Sequence, residues 1–179
     1  MATRRTLIFY AVVWAIGLAF SLIKGQFPGK VFWGAEGTDF IVVLMAYLYL
    51  RSGISQAGLF GFVQGMCVDV YSVGFKGLFV FLNLCALGVI ALASGFIHLN
   101  NPRGQILIVA MAWVIKKGLF FALLMALRGE AAVSDILLWP LLLAFILTVI
   151  SAPIVFYFLD RLRLSIVGHL PRNGILQEH

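Results

Sequence analysis

The sequence predicts an all-α, polytopic membrane bundle of about six helices. Three observations predict it. Of the 179 residues, 63% are hydrophobic and only 11% are charged, where a soluble domain of this size carries about a quarter charged residues. The mean hydropathy is +1.06, and apolar surface on that scale cannot be covered in water, so the solvent is lipid. The apolar residues are also gathered into uncharged runs near the length of about 20 residues that crosses a bilayer at 1.5 Å rise per residue.

The first run, residues 6–23, follows Arg4 and Arg5. It is longer than the apolar core of a secretory signal, and no small-x-small cleavage site precedes GQFPGK, so it reads as a retained first helix. Residues 25–38 hold glycines, Pro28 and Glu36 and read as a loop, with an interfacial piece at 31–33. Spans at 39–50 and 54–69 follow, divided by Arg51, Ser52 and Gly53. Each is short for a full crossing. They read either as two short or tilted spans or as a membrane hairpin, the six-span count being preferred. Residues 77–97 form a clear span, 98–104 (HLNNPRG) a turn, and 104–127 a span interrupted by Lys116 and Lys117. A polar loop at 128–135 leads to the last span, 136–159, in which Pro140 and Pro153 predict bends. The polar tail is too short for a core of its own, so residues 1–179 read as one integral-membrane domain.

The net charge is +6. Arg4 and Arg5 precede the first span and Arg161, Arg163 and Arg172 follow the last, so both termini are expected in the cytoplasm and the number of crossings is even. With six spans, Arg51 and Arg103 also fall inside, whereas Lys24, Lys30, Lys76 and Arg128 fall outside beside Glu36, Asp69, Glu130 and Asp135. No basic cluster with interleaved aromatics suggests a nucleic-acid face.

Cys67 and Cys85 lie in apolar runs and read as small buried hydrophobes, and His98, His169 and His179 have no ligand spacing. No metal or cofactor site is predicted. The chain carries no Walker motif, no HExxH, no nucleophile elbow and no carboxylate pair, so the expectation is a protein that is not an enzyme. Trp33 and Trp139 suit interfacial anchoring; Trp14 and Trp113 fall inside their runs.

Two constellations remain. Gly61, Gly65 and Asp69 are spaced four apart and share one helix face. Such a stripe admits a close-packed helix, either from this chain or from a partner, with packing within the chain preferred. Asp69 stands before Ser72, Gly74 and Gly77, where the chain must turn. A carboxylate there satisfies backbone N–H groups of the turn or of the next helix, so capping is preferred to catalysis or ion coupling. Lys116 and Lys117 lie near the middle of their span, and neighbouring helical residues point about 100° apart. One is expected to snorkel and the other to pair inside the bundle, with Asp39 or Asp69 as counter-ion; a cavity or lipid head-group site is the rival reading. Asn83, inside its span, is expected to bond a neighbouring helix.

Residues 39–92 resemble the bacterial rod-shape-determining MreD family. The resemblance rests on an acid opening an apolar run (Asp39), a Tyr/Leu-rich helix ending at Arg51, the GFVQG helix, and the run D-x-x-S-x-G-x-x-G at Asp69, Ser72, Gly74 and Gly77. It covers about a third of the chain; chain length, basic ends and span number agree. The resemblance assigns no role to the lysine pair. The resemblance implies a non-enzymatic scaffold of the elongation machinery in the bacterial inner membrane. That scaffold would bind MreC through its transmembrane helix and, through MreC, join MreB, RodA and a class B penicillin-binding protein. Membrane lipids and a homo-oligomer within an MreC–MreD assembly are further expected partners. The family is similar in architecture to the substrate-binding subunits of energy-coupling-factor transporters, which suggests the alternative of a subunit that binds a small molecule or lipid.

Overall fold

A computed structural model describes residues 2–26, 39–71, 76–96, 102–128 and 138–167. Every element among them is a helix: α1 (Ala2–Gln26), α2 (Phe40–Ser52), α3 (Ile54–Tyr71), α4 (Leu78–Phe96), α5 (Pro102–Arg128) and α6 (Leu138–Val167). The expected all-α fold is therefore found. Among the described residues, three stretches are long and apolar enough to cross a membrane, Leu78–Phe96, Arg103–Leu123 and Leu141–Ile166. Thr6–Leu22 and Phe40–Ser52 are shorter apolar stretches.

The helix limits follow local chemistry more closely than they follow charge. Pro102 opens α5, a position where the missing N–H has no helical partner to lose. Pro140 likewise falls in the first turn of α6, whereas Pro153 lies within that helix. Helix α6 runs on to Val167, well past the expected end at 159. Asp160, Arg161 and Arg163 end the apolar run but not the helix, because i→i−4 backbone bonding is indifferent to side-chain polarity and Arg161 itself reaches back to the Tyr157 hydroxyl, 3.3 Å away. The interfacial piece at 31–33, the loop at 129–135, the three histidines, and Ser72 and Gly74 of the turn lie outside the described residues.

One helix organises the rest. The other five form a ring in the order α1–α3–α4–α5–α6 and back to α1, and α2 packs against every member. From Ile41 to Leu48 all eight consecutive residues of α2 are buried. A helix that is apolar on every side must be surrounded by protein or lipid; here the sheath is protein. The facing helices present small residues, among them Ala57, Ala86, Ala112 and Ala152, with Phe9, Phe60 and Phe156 filling between them. At 13 residues, α2 is about 20 Å long, short of the ~30 Å of a hydrocarbon core. The neighbouring α3 has 18 residues, or about 27 Å. This accounts for the shortness of the first of the two runs: α2 is an internal strut sheathed by longer helices.

A single residue joins α2 to α3. Gly53 has φ +91°, a left-handed conformation that favours glycine. Its N–H donates to Tyr49 O at 3.1 Å and its carbonyl accepts from Ala57 N at 3.3 Å, so both helix ends are tied through it. The outward faces of the ring are apolar, with Leu59, Phe62, Phe81, Leu107 and Ile146 all exposed. This inversion, apolar outside as well as inside, is what a lipid solvent permits.

Candidate functional site: a buried polar centre

The start of α2 carries the charge that the ring must accommodate. Asp39 precedes the helix, and its carbonyl accepts from Val42 N at 3.0 Å and Val43 N at 3.4 Å. Its carboxylate makes no capping bond to the α2 backbone. It turns instead to α5, where Lys116 Nζ lies 2.7 Å from Asp39 Oδ2. The two side chains are only 12% and 7% exposed. The negative charge also stands at the positive end of the α2 dipole, which stabilises it further.

Two more helices join the pair. Lys116 Nζ donates to Asn83 Oδ1 at 2.6 Å, and Asn83 Nδ2 donates to Gly61 O at 3.0 Å, linking α5, α4 and α3 in series. The Asp39 backbone N–H donates to Thr148 Oγ1 at 3.2 Å, and that hydroxyl donates to Ala144 O at 2.8 Å within α6. Among the described residues, no buried side-chain polar atom lacks a hydrogen-bond partner. This matters because a half-satisfied buried network is costlier than an apolar one.

Of the two candidate counter-ions for the lysines, the structure pairs Lys116 with Asp39 and gives Asp69 another task. Asp69 Oδ1 accepts from Phe79 N and Oδ2 from Val80 N, both at 3.1 Å. The carboxylate at the end of α3 thus caps the start of α4. Lys117, one residue on, has its ammonium 5.9 Å from the centroid of the Trp113 ring, a cation–π distance.

The glycine stripe serves the same interface. A Cβ on Gly65 would stand 2.6 Å from the Val80 Cα, so the α3 and α4 backbones approach as only glycine allows. A Cβ on Gly61 would meet the Met45 Sδ of α2 at 2.7 Å. Both glycines therefore face neighbours within the chain. Gly77 has φ +90° and leads into α4, its carbonyl accepting from Phe81 N at 3.0 Å.

Several polar links had no signature in the sequence reading. The buried Gln64 amide meets Ser21 Oγ at 2.9 Å, joining α3 to α1. Near the other end of α2, Tyr47 donates to Asp160 Oδ1 at 3.1 Å, and Arg51 pairs with Asp160 Oδ2. Tyr10 donates to Ser52 Oγ at 2.9 Å, and the Tyr49 and Ser94 hydroxyls lie 2.8 Å apart. The signal available was tyrosine spacing: Tyr47 and Tyr49 end an otherwise aliphatic helix, and buried phenols require acceptors.

The fold and its centre define a membrane-type all-α bundle in which the buried Asp39 and Lys116 charges pair with each other and the Asp69 carboxylate is held by backbone N–H groups. Comparison with known proteins finds no matching family model, no matching curated protein and no matching solved structure.

Proposed function

We propose that the protein is a non-enzymatic membrane scaffold of the MreD type, one that binds the transmembrane helix of MreC and supports lateral wall synthesis by the rod complex. The observation that carries this reading is the disposition of its polar groups. Lys116, Asp39, Asn83 and Asp69 all bond within the chain. What the described helices offer outward is an apolar wall. A protein built this way works by what lies against its helices. The MreD-like pattern at Asp39, Arg51, Asp69 and Gly77 supports the specific assignment. Since Gly61 and Gly65 pack inward, the MreC helix would meet exterior side chains rather than that stripe.

Localisation in the inner membrane with both termini cytoplasmic belongs to this proposal, as does indirect association with MreB, RodA and a class B penicillin-binding protein. The test is pull-down of the tagged chain from its host in mild detergent, together with depletion. Co-purification of MreC and rounding of depleted cells are expected. Normal rod shape after clean deletion overturns the reading.

A further inference from the structure

The arginines at one end of the ring are not balanced by acids. Asp160 is the only acid of the described residues at this end, and both of its oxygens are engaged, one by Tyr47 and the other by Arg51. Arg103, in the first turn of α5, has no carboxylate partner among the described residues, nor do Arg161 and Arg163 in the last turns of α6. Arg161 donates only to the neutral Tyr157 hydroxyl. Helices α5 and α6 are neighbours in the ring, and Trp113 packs on Phe145 between them with ring centroids 5.3 Å apart. The three arginines therefore lie toward the same end of two adjacent antiparallel helices.

Each helix also carries an exposed apolar stripe that ends on one of these arginines. On α5 it runs Val114, Met111, Leu107, Arg103, and on α6 it runs Ile150, Ile154, Tyr157, Arg161. The spacings of three and four keep each stripe on one face. Each runs over twelve residues, a rise of about 17 Å, close to the ~15 Å depth of one leaflet of a ~30 Å hydrocarbon core. An apolar track one leaflet deep, headed by an unneutralised cation, has the dimensions and charge of an anionic amphiphile.

We propose that the Arg103–Arg161–Arg163 end of α5 and α6 binds the phosphate headgroup of an anionic phospholipid, whose acyl chain lies along the stripe leading to Arg103 or Arg161. Guanidinium recognises phosphate oxygens through paired N–H donors. The site holds whether or not the chain docks MreC, because it uses neither the polar centre nor a partner.

The test is native mass spectrometry of the full chain released from micelles containing equal phosphatidylglycerol and phosphatidylcholine. Each basic side chain near an anionic surface contributes about fivefold in affinity. The wild type should retain phosphatidylglycerol preferentially, and R103Q/R161Q/R163Q should lower that affinity about 100-fold. The Lys triple variant should keep most of the preference, and K76Q, at the other end of α4, should keep all of it. Should the Gln triple variant fail to fold, the wild-type preference must still fall as ionic strength rises. Equal retention of the two lipids, as a surface meant for an acidic protein would give, overturns the proposal. So does displacement of the lipid by millimolar inorganic phosphate, which would mark a free-anion site.

Discussion

Lys116 Nζ on α5 lies 2.7 Å from Asp39 Oδ2 at the head of α2, both side chains almost wholly removed from solvent. Removing one member leaves the other charge buried and unpaired, a loss of about 3–5 kcal/mol. Lys116→Met and Asp39→Asn should each lower thermal stability in detergent by an amount of that order. The double variant should recover more than half of the loss. It should not recover all of it, because Asn83 Oδ1 then loses the ammonium donated to it. Losses that simply add would show that the pair is not coupled.

Gly65 and Gly88 offer a matched contrast. A methyl on Gly65 collides with the backbone of Val80, whereas one on Gly88 meets open space. Gly65→Ala must push α3 from α4 and should cost about 1–3 kcal/mol. Gly88→Ala should leave the melting temperature unchanged or slightly raised. Gly61→Ala should fall between, since the Met45 side chain it meets is flexible.

Asp69 uses both oxygens to cap α4. Asp69→Asn keeps one acceptor and loses the charge at the helix N-terminus, a cost of about 1 kcal/mol; Asp69→Ala should cost up to about 2 kcal/mol. The local readout is amide hydrogen exchange, which should accelerate at Phe79 and Val80 before any change at Asn83. Under the scaffold reading, the Asn variant still co-purifies MreC.

At the other end of α2, the Arg51–Asp160 pair is more than a third exposed on both sides. Solvent screening holds such a pair to about 0–1 kcal/mol. Asp160→Asn should therefore change the melting temperature far less than Asp39→Asn, although both remove an aspartate that ion-pairs across the bundle. Tyr47→Phe, which deletes a buried phenol bonded to Asp160, should cost about 1 kcal/mol.

The helices were legible because lipid demands long uncharged runs, and such runs stand out in any chain. Their ends were less legible where polarity and helicity part company, as α6 shows by continuing through Asp160, Arg161 and Arg163. The cap at Asp69 could be read because capping is local: acid, turn and next helix lie within a dozen residues. The partner of Lys116 could not, since Asp39 and Asp69 were equal candidates until the ring order placed α2 beside α5. Thr148 gave no sign of its role, as a lone threonine in an apolar run ordinarily bonds its own helix. It does so here, and takes the Asp39 N–H as well. The central position of α2 was hidden for the same reason: a short apolar run reads alike whether lipid or protein surrounds it.

That central position has a consequence in time. Asp39 leaves the ribosome before its cross-helix partners Lys116 and Thr148, which follow in that order. At about 5–20 residues per second, the lysine is made about 4–15 s after the aspartate. Throughout that interval Lys116, which pairs with the Asp39 carboxylate in the folded bundle, does not yet exist. The innermost helix is thus the second to be synthesised, whereas α5 and α6, which complete the ring around it, are the last.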